Sequence, residues 1–526
     1  MLPEACIVRC SPPSMPDEAV TPTAIPAEES LAQKSTKGAA WAGISRMVQQ
    51  GTQTVSVALL ARFLSPEAYG LMAMSGFFVN ILQQLGDMGT GSAIIQRPQI
   101  SQRLNSSLFW ANTIIGLVGA ALLWIAAPTI SLYYREPRVV KPLLVLALSF
   151  PLAGIGIVPQ SLLVREMEYR KLFIVEVSAA AGGALVAILA AWSGAGVWSL
   201  VAGSLTLTGI TTVLSWLYSG WWPEFAIDWG EIRSVMGFSM NLTGFVFVNY
   251  FARNTGHLIV GRYLGTAALG YYQMAYSLLL YPLQAVSSVL GRVMFAAFAR
   301  MQTDPERFRA AMRRYLTLLG AISFPVFMGL MVLAEPMIHL FLGEKWVPVV
   351  PLFMIVAPFG AIQAISSPTG QIYLSTGRTD IMLRLGVLSA FVQVLGYFAG
   401  LPWGLPGILL GWAISTVPVA LAGLIVSHRL IQSPMSKLLK DLFTPALSTL
   451  IMTAAVWGWR LLLRQWGVPR IVDLGSTVLL GFALYAALVV WMRASFLRDI
   501  AQVLSYSNHP TVVRASKWVE SYAAPE

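Results

Sequence analysis

Three residues at helical spacing open a chemical reading of this chain. Asn249, Arg253 and His257 stand at i, i+4 and i+8, on one face of a helix. A guanidinium on that face suits an anionic ligand, because its fork of donors matches phosphate oxygens and it stays charged when partly desolvated. Amides beside it suit hydroxyl groups. Arg46, Gln49, Gln50 and Gln53 repeat the pattern at i, i+3, i+4 and i+7, again on one face. Gln83, Gln84 and Asp87 lie in the apolar segment that follows, and Gln284, Ser288 and Arg292 share a face of another. Asp87 and Glu176 are the two clear carboxylates inside apolar segments, candidates for pairing with a basic residue or carrying a coupling ion. A charge within a span costs roughly 2.5–3.5 kcal/mol on insertion scales, so it faces protein or water. Two readings follow: a hydrated cavity, or polar glue between helices worth about 0.6 kcal/mol per hydrogen bond. For Arg253 the cavity is favoured; Gln49, Gln53 and Asn249 fit either, and Arg46 has the further option of snorkelling to the interface.

The elements that position these residues are membrane spans. The chain has 526 residues, 56% hydrophobic and only 11% charged, with mean hydropathy +0.67. About 25% charge is usual for a soluble domain, so a water-exposed surface is excluded. Apolar segments of roughly 20 residues fit a bilayer. They fall at 38–64, 69–95, 106–128, 140–164, 172–193, 196–218, 236–262, 268–296, 314–341, 347–373, 381–401, 405–428, 443–463 and 472–492. The expected fold class is therefore an all-α polytopic membrane protein of about 14 transmembrane helices. Residues 1–37 read as a disordered cytoplasmic tail, with Met15 an alternative start, and 493–526 as a second cytoplasmic tail. Cys6 and Cys10, both in the first tail, are the only cysteines, so no disulfide framework is expected.

Orientation follows from the basic residues. With both termini inside, 23 of the 35 lysines and arginines fall on inner segments and nine on outer ones. The outer connection after the thirteenth span works against this count, because Arg460, Arg464 and Arg470 lie at it. The net charge of +11 is thus a topology signal, and no nucleic-acid partner is expected.

The chain also repeats itself. Ala61-Arg-Phe-Leu-Ser-Pro-Glu-Ala-Tyr-Gly-Leu-Met-Ala-Met74 aligns without a gap on Gly261-Arg-Tyr-Leu-Gly-Thr-Ala-Ala-Leu-Gly-Tyr-Tyr-Gln-Met274. Arg62/Arg262, Leu64/Leu264, Ala68/Ala268, Gly70/Gly270 and Met74/Met274 are identical, and Gln84/Gln284 keep the register. Weaker echoes pair Pro159 with Pro368, Gly196 with Gly404 and Gly203 with Gly411. Spans 1–6 (38–218) then correspond to spans 7–12 (236–428), leaving a helix pair at 443–492. Six is even, so the halves are parallel and related by an axis along the membrane normal, an arrangement that rocks around a central site in secondary transporters. Arg62 and Arg262 are expected to pin matching outer helix ends, with Gly70 and Gly270 as structural partners. The cavity is expected among spans 1, 2, 7 and 8.

No P-loop, HExxH or cysteine/histidine cluster is present, and neither a metal nor a cofactor is expected. The connections are too short for an extramembrane catalytic domain, so no enzyme activity is expected. Four stretches carry a family resemblance: Leu60 to Met74, Asp87 to Arg97, Arg165-Glu-Met-Glu-Tyr-Arg-Lys-Leu172, and Asn249-Tyr-Phe-Ala-Arg-Asn254 continuing through Val260-Gly-Arg-Tyr-Leu-Gly265 to Tyr276. They resemble bacterial polysaccharide flippases, in the branch of the colanic-acid and succinoglycan exporters, within the multidrug/oligosaccharidyl-lipid/polysaccharide superfamily. The resemblance implies two six-helix bundles around a V-shaped cavity plus two extra helices. It implies a multi-pass bacterial inner-membrane protein that moves undecaprenyl-pyrophosphate-linked oligosaccharide units for exopolysaccharide or lipopolysaccharide biosynthesis by alternating access. A polysaccharide polymerase and chain-length or export proteins are the implied partners besides the lipid-linked oligosaccharide and the bilayer. One departure is Gly256, where the family often has an acidic residue. A cation-coupled multidrug exporter of the same superfamily, or a membrane polymerase or ligase acting on the same lipid-linked glycan, are the alternatives.

Overall fold

The computed structural model describes residues 31–492 except 87, 88, 98, 301–304, 376 and 377. Asp87, the cysteines, Met15 and most of both expected tails lie outside the described residues, as do the side chains of Asn249 and Arg292. The described residues form helices, turns and bends with no strand. That follows from the solvent: within a bilayer every backbone donor needs an internal partner, and a helix supplies them all.

The helices are α1 (Leu31–Phe63), α2 (Pro66–Gly86), α3 (Thr90–Gln96), α4 (Gln102–Tyr134), α5 (Val140–Leu146), α6 (Ser149–Arg165), α7 (Tyr169–Trp192), α8 (Val197–Ser219), α9 (Trp229–Arg300), α10 (Pro305–Val332), α11 (Ala334–Met337), α12 (Val349–Ser366), α13 (Thr369–Ser375), α14 (Thr379–Gly400), α15 (Gly404–Leu430), α16 (Met435–Gln465) and α17 (Arg470–Trp491). Among the described residues, nine segments are long and apolar enough to cross a membrane, one of them running Asp380–Leu430 through two helices. The expected spans at 38–64, 69–95, 236–262 and 268–296 fall on α1, α2 and α9, which are helical but outside those nine.

Local chemistry sets the ends. Pro66 opens α2, where a missing N–H costs nothing. The Ser101 Oγ accepts from the Leu104 N–H and caps α4. The expected span 140–164 lies within one apolar helical segment, Pro137–Arg165. It turns at Ala147 and Leu148, where Pro151 has no N–H for the Ala147 carbonyl, so α5 ends at Leu146 and α6 starts at Ser149. The expected break between 262 and 268 falls at Gly265 (φ 83°, ψ −173°), whose non-helical backbone divides the continuous run α9 into two helices.

Packing recurs between the two halves of the chain. In the first half α1 packs on α7, α7 on α8, α4 on α6 and α6 on α8; in the second, α9 packs on α14, α14 on α15, α10 on α12 and α12 on α15. The α2–α9 crossing joins them reciprocally. A Cβ on Gly70 would lie 1.8 Å from the Thr266 carbonyl oxygen, and one on Gly270 would lie 1.9 Å from that of Pro66. Residue 66 plus the repeat offset is 266, so each half makes the same contact on the other. Only glycine permits backbones this close.

The last pair, α16 and α17, is held by charge. Arg460 is buried, paired with Asp473 at 3.2 Å and Glu335 at 3.5 Å, and it donates to the Val332 carbonyl. Arg464 also pairs with Glu335, and Arg470 pairs with Glu344 at 3.1 Å. Hydrogen bonds from His339 and Arg470 hold the Glu344 carboxylate below its ordinary range. Each arginine that weighed against the charge count thus has its own carboxylate.

Candidate functional site

Arg253 lines a cavity of about 340 Å³ set among α9, α12, α14 and α15. It does not lie between spans 1, 2, 7 and 8, where the helical-face reading put it. Its neighbours on the cavity wall include Gln363, Ser366 and Ser367 from α12, Ser389 and Gln393 from α14, and Thr416 from α15. Tyr276 and Trp412 form an aromatic corner there, ring centroids 5.7 Å apart. Arg253 is exposed, and among the described residues no carboxylate or hydrogen-bond acceptor holds it. It is the single charged group on this wall among the described residues.

The other polar groups are partly committed. Gln393 donates to the Ser389 Oγ at 2.7 Å, and the Thr416 hydroxyl donates to the Trp412 carbonyl. The Gln363 Oε1 is buried and has no partner among the described residues. A buried acceptor without a donor costs about 1–3 kcal/mol. The cavity therefore offers a free guanidinium, an unsatisfied amide oxygen, hydroxyls and an aromatic wall. That combination suits a ligand with an anionic group next to hydroxyl donors.

The remaining sequence candidates scatter. His257 does not share the wall with Arg253: it is buried, with Nε2 2.6 Å from the Gln273 Oε1 and Nδ1 3.2 Å from the Asn254 carbonyl oxygen, its ring edge-on to Tyr272. Gln49 donates to the Glu176 Oε2 at 2.7 Å, and the Ser45 hydroxyl donates to the same oxygen at 2.5 Å. This joins α1 to α7 around a half-buried carboxylate that has no basic partner among the described residues. Arg46, Gln53, Gln84 and Gln284 are exposed on α1, α2 and α9. Polar side chains exposed along spans require water or a polar ligand on that side.

Arg62 and Arg262 reach across the halves at one end of the molecule. Arg62 donates to the Leu340 and Phe341 carbonyls, Lys345 reaches back to the Arg62 carbonyl at 3.3 Å, and the buried Trp346 donates to the Ala61 carbonyl at 2.8 Å. Arg262 stacks over the Tyr133 ring at 5.7 Å, at the end of α4. Both arginines therefore dock on the opposite half, Arg262 on the last turn of α4 and Arg62 on the carbonyls of Leu340 and Phe341 that follow α11. Helical-face reasoning missed the α12, α14 and α15 residues of the cavity. Their signal was modest: Gln363 and Ser366 at i, i+3, and Ser389 and Gln393 at i, i+4.

Comparison with known proteins fits this arrangement. A profile of the family described as "Polysaccharide biosynthesis protein" matches residues 59–351, more than half of the chain. The lipopolysaccharide biosynthesis protein WzxC of Escherichia coli is 27% identical over 395 residues, covering 74% of this chain and 80% of WzxC. The succinoglycan biosynthesis transport protein ExoT of Rhizobium meliloti is 28% identical over 477 residues, covering 89% and 95%. A solved structure titled lipid II flippase MurJ, inward closed conformation, superimposes with a TM-score of 0.70 at 15% identity, covering 88% of this chain and 99% of that one. The likeness to MurJ is one of fold. The chain belongs to the polysaccharide biosynthesis protein family.

Proposed function

We propose that this member of the polysaccharide biosynthesis protein family is a flippase that carries a lipid-linked oligosaccharide across the bacterial inner membrane. The observation that carries the reading is Arg253, an unpaired guanidinium on a cavity wall of hydroxyls, amides and aromatic rings. A pyrophosphate joining a saccharide to a lipid places an anion between hydroxyl groups and an apolar anchor, and undecaprenyl is that anchor here. In this reading the pyrophosphate sits against Arg253, the first sugar against Tyr276 and Trp412, and the lipid tail in the bilayer. A cavity whose single charge among the described residues is a guanidinium is a poor host for cationic drugs, which disfavours a multidrug exporter.

In this proposal residues 38–218 and 236–428 form two parallel six-helix units, with 443–492 an added pair. The matched packing and the reciprocal Gly70 and Gly270 contacts support it. The units rock about that crossing. The end clasped by Arg62, Arg262, Lys345 and Trp346 is the outer end in this reading. Arg46, Gln53, Gln84 and Gln284 line the route from the cytoplasm. The chain makes no covalent change to its cargo. Glu176 is the carboxylate placed to take a coupling proton.

The test is leaflet assignment of the cargo. In a strain lacking the gene, lipid-linked repeat units should accumulate on the cytoplasmic leaflet, inaccessible to a glycosidase added to spheroplasts and accessible in inverted vesicles. Units reaching the outer leaflet at wild-type levels in that strain would overturn the proposal.

A further inference from the structure

The first half contains a cavity that shares part of its register with the Arg253 cavity, and its chemistry is different. A cavity of about 570 Å³ lies among α2, α4, α6 and α8. At the repeat registers, four of its lining positions match positions lining the other cavity. Gln83 corresponds to Leu283 at the offset of Arg62 and Arg262. Gly154 and Ile157 correspond to Gln363 and Ser366 at the offset of Pro159 and Pro368. Thr208 corresponds to Thr416 at the offset of Gly203 and Gly411. The two cavities therefore share equivalent positions on α2 and α9, α6 and α12, and α8 and α15, while α4 completes the first and α14 the second. The second-half cavity is polar and charged. The first-half cavity is walled by Ile114, Val118, Leu122, Phe150 and Ile157, and among the described residues no charged one lines it.

Two further observations define its occupant. Ile114, Val118, Leu122 and Leu207 are 45–52% exposed at its rim, so it opens on the apolar surface that faces hydrocarbon. Asn112, on its wall, is 1% exposed, and its Nδ2 has no partner among the described residues. Its Oδ1 already accepts from the Thr90 hydroxyl at 3.1 Å, which orients the amide and leaves the NH₂ free. A buried donor without an acceptor is costly, and hydrocarbon alone cannot satisfy it. The required occupant is an apolar chain that carries an oxygen acceptor near one end.

We propose that this cavity binds an acyl chain of a glycerophospholipid, the Asn112 amide donating to the ester carbonyl. The acceptors at the end of the cargo's prenyl chain are charged pyrophosphate oxygens, for which this wall offers no cation among the described residues, whereas an ester carbonyl is neutral; this separates the resident lipid from the cargo. Filled by a lipid, the first-half cavity is closed to the cargo, and only the second-half cavity remains to receive it.

The purified full-length protein in nanodiscs is photolabelled with a phosphatidylethanolamine bearing a diazirine on its acyl chain, and separately with a diazirine-bearing farnesyl pyrophosphate. Labelled residues are mapped by mass spectrometry. Gly119→Leu fills the cavity, and a Cβ there meets only ordinary contact, 3.6 Å from the Phe150 ring. Asn112→Leu removes the donor. The phospholipid probe should label 114–122 and 150–160, and each variant should lower that labelling by about tenfold while eluting as folded protein on size exclusion. If Asn112→Leu aggregates, Gly119→Leu decides alone. Phospholipid labelling that Gly119→Leu leaves unchanged marks ordinary boundary lipid and overturns the proposal. Labelling of these segments by farnesyl pyrophosphate in place of the phospholipid gives the cavity to the cargo and overturns it too, while leaving the flippase reading intact.

Discussion

Replacing Arg253 gives the most direct test of the cavity. The side chain is exposed and bonded to nothing among the described residues, so its removal breaks no fixed contact. Substitutions away from packed or paired groups usually change stability by no more than about 0.5 kcal/mol. Arg253→Ala should therefore insert and accumulate like the wild type. Binding is another matter. A unit charge 4 Å from an anion gains about 1 kcal/mol in bulk water and about 4 kcal/mol at an effective dielectric near 20. An open cavity lies between these limits, and a hydrogen bond to a charged group contributes about 1.5–3 kcal/mol. A loss of about 2–3 kcal/mol weakens cargo binding by about 30- to 150-fold. Arg253→Lys keeps the charge and loses the fork, so it should recover part of the function. The assay is exported polysaccharide from a deletion strain complemented with each variant, normalised to membrane protein by immunoblot. Normal export by Arg253→Ala at wild-type abundance refutes the pyrophosphate role. A large loss of membrane protein refutes the premise that the side chain is free.

Other expectations rest on different contacts. Gly270→Val puts a side chain into the Pro66 carbonyl, and overpacking of about 3 kcal/mol would depopulate the clasped state about 100-fold; export should fail with the protein still inserted, and normal export would remove the crossing from the transport cycle. Glu176→Gln keeps the hydrogen bonds from α1 in outline but cannot exchange a proton; if Glu176 carries the coupling proton, export driven by an imposed pH gradient in vesicles stops, whereas unaltered transport reduces it to a tie between α1 and α7. Arg460→Met leaves Asp473 buried without its partner and should cost about 3–5 kcal/mol, seen as a lowered melting temperature in detergent; adding Asp473→Leu should restore most of it, and an equal loss in the double variant would contradict the pairing.

Much of the helical layout was legible because bilayer thickness fixes how long an apolar run must be. Single residues set the finer features. Pro151 lacks the N–H that would bond the Ala147 carbonyl, so the fourth span turns there. The division of α9 was legible, because Gly265 holds a positive φ that a helix does not. The three arginines near the thirteenth span were counted as free charges. The carboxylates that pair with them, Glu335, Glu344 and Asp473, come from α11, the connection before α12, and α17, a proximity that only folding creates.

The site was legible only in part, for a geometrical reason. Four residues advance a helix by about 40° beyond a full turn. Arg253 and His257 share a face on that scale, yet one opens into a cavity while the other is locked to Gln273. The amides and hydroxyls of α12 and α14 drew no notice because Gln363, Ser366, Ser389 and Gln393 scarcely lower the apolarity of their spans. The repeat held the stronger signal. Carried beyond the first two helices of each half, its register sets Gly154 and Ile157 against Gln363 and Ser366, apolar against polar at equivalent positions. Symmetric halves with symmetric cavities would give an amphiphile two equal places to bind. Divergence of one cavity toward charge and the other toward hydrocarbon leaves a single place for the anionic group, and that asymmetry is what a transporter of a headgroup on a lipid requires.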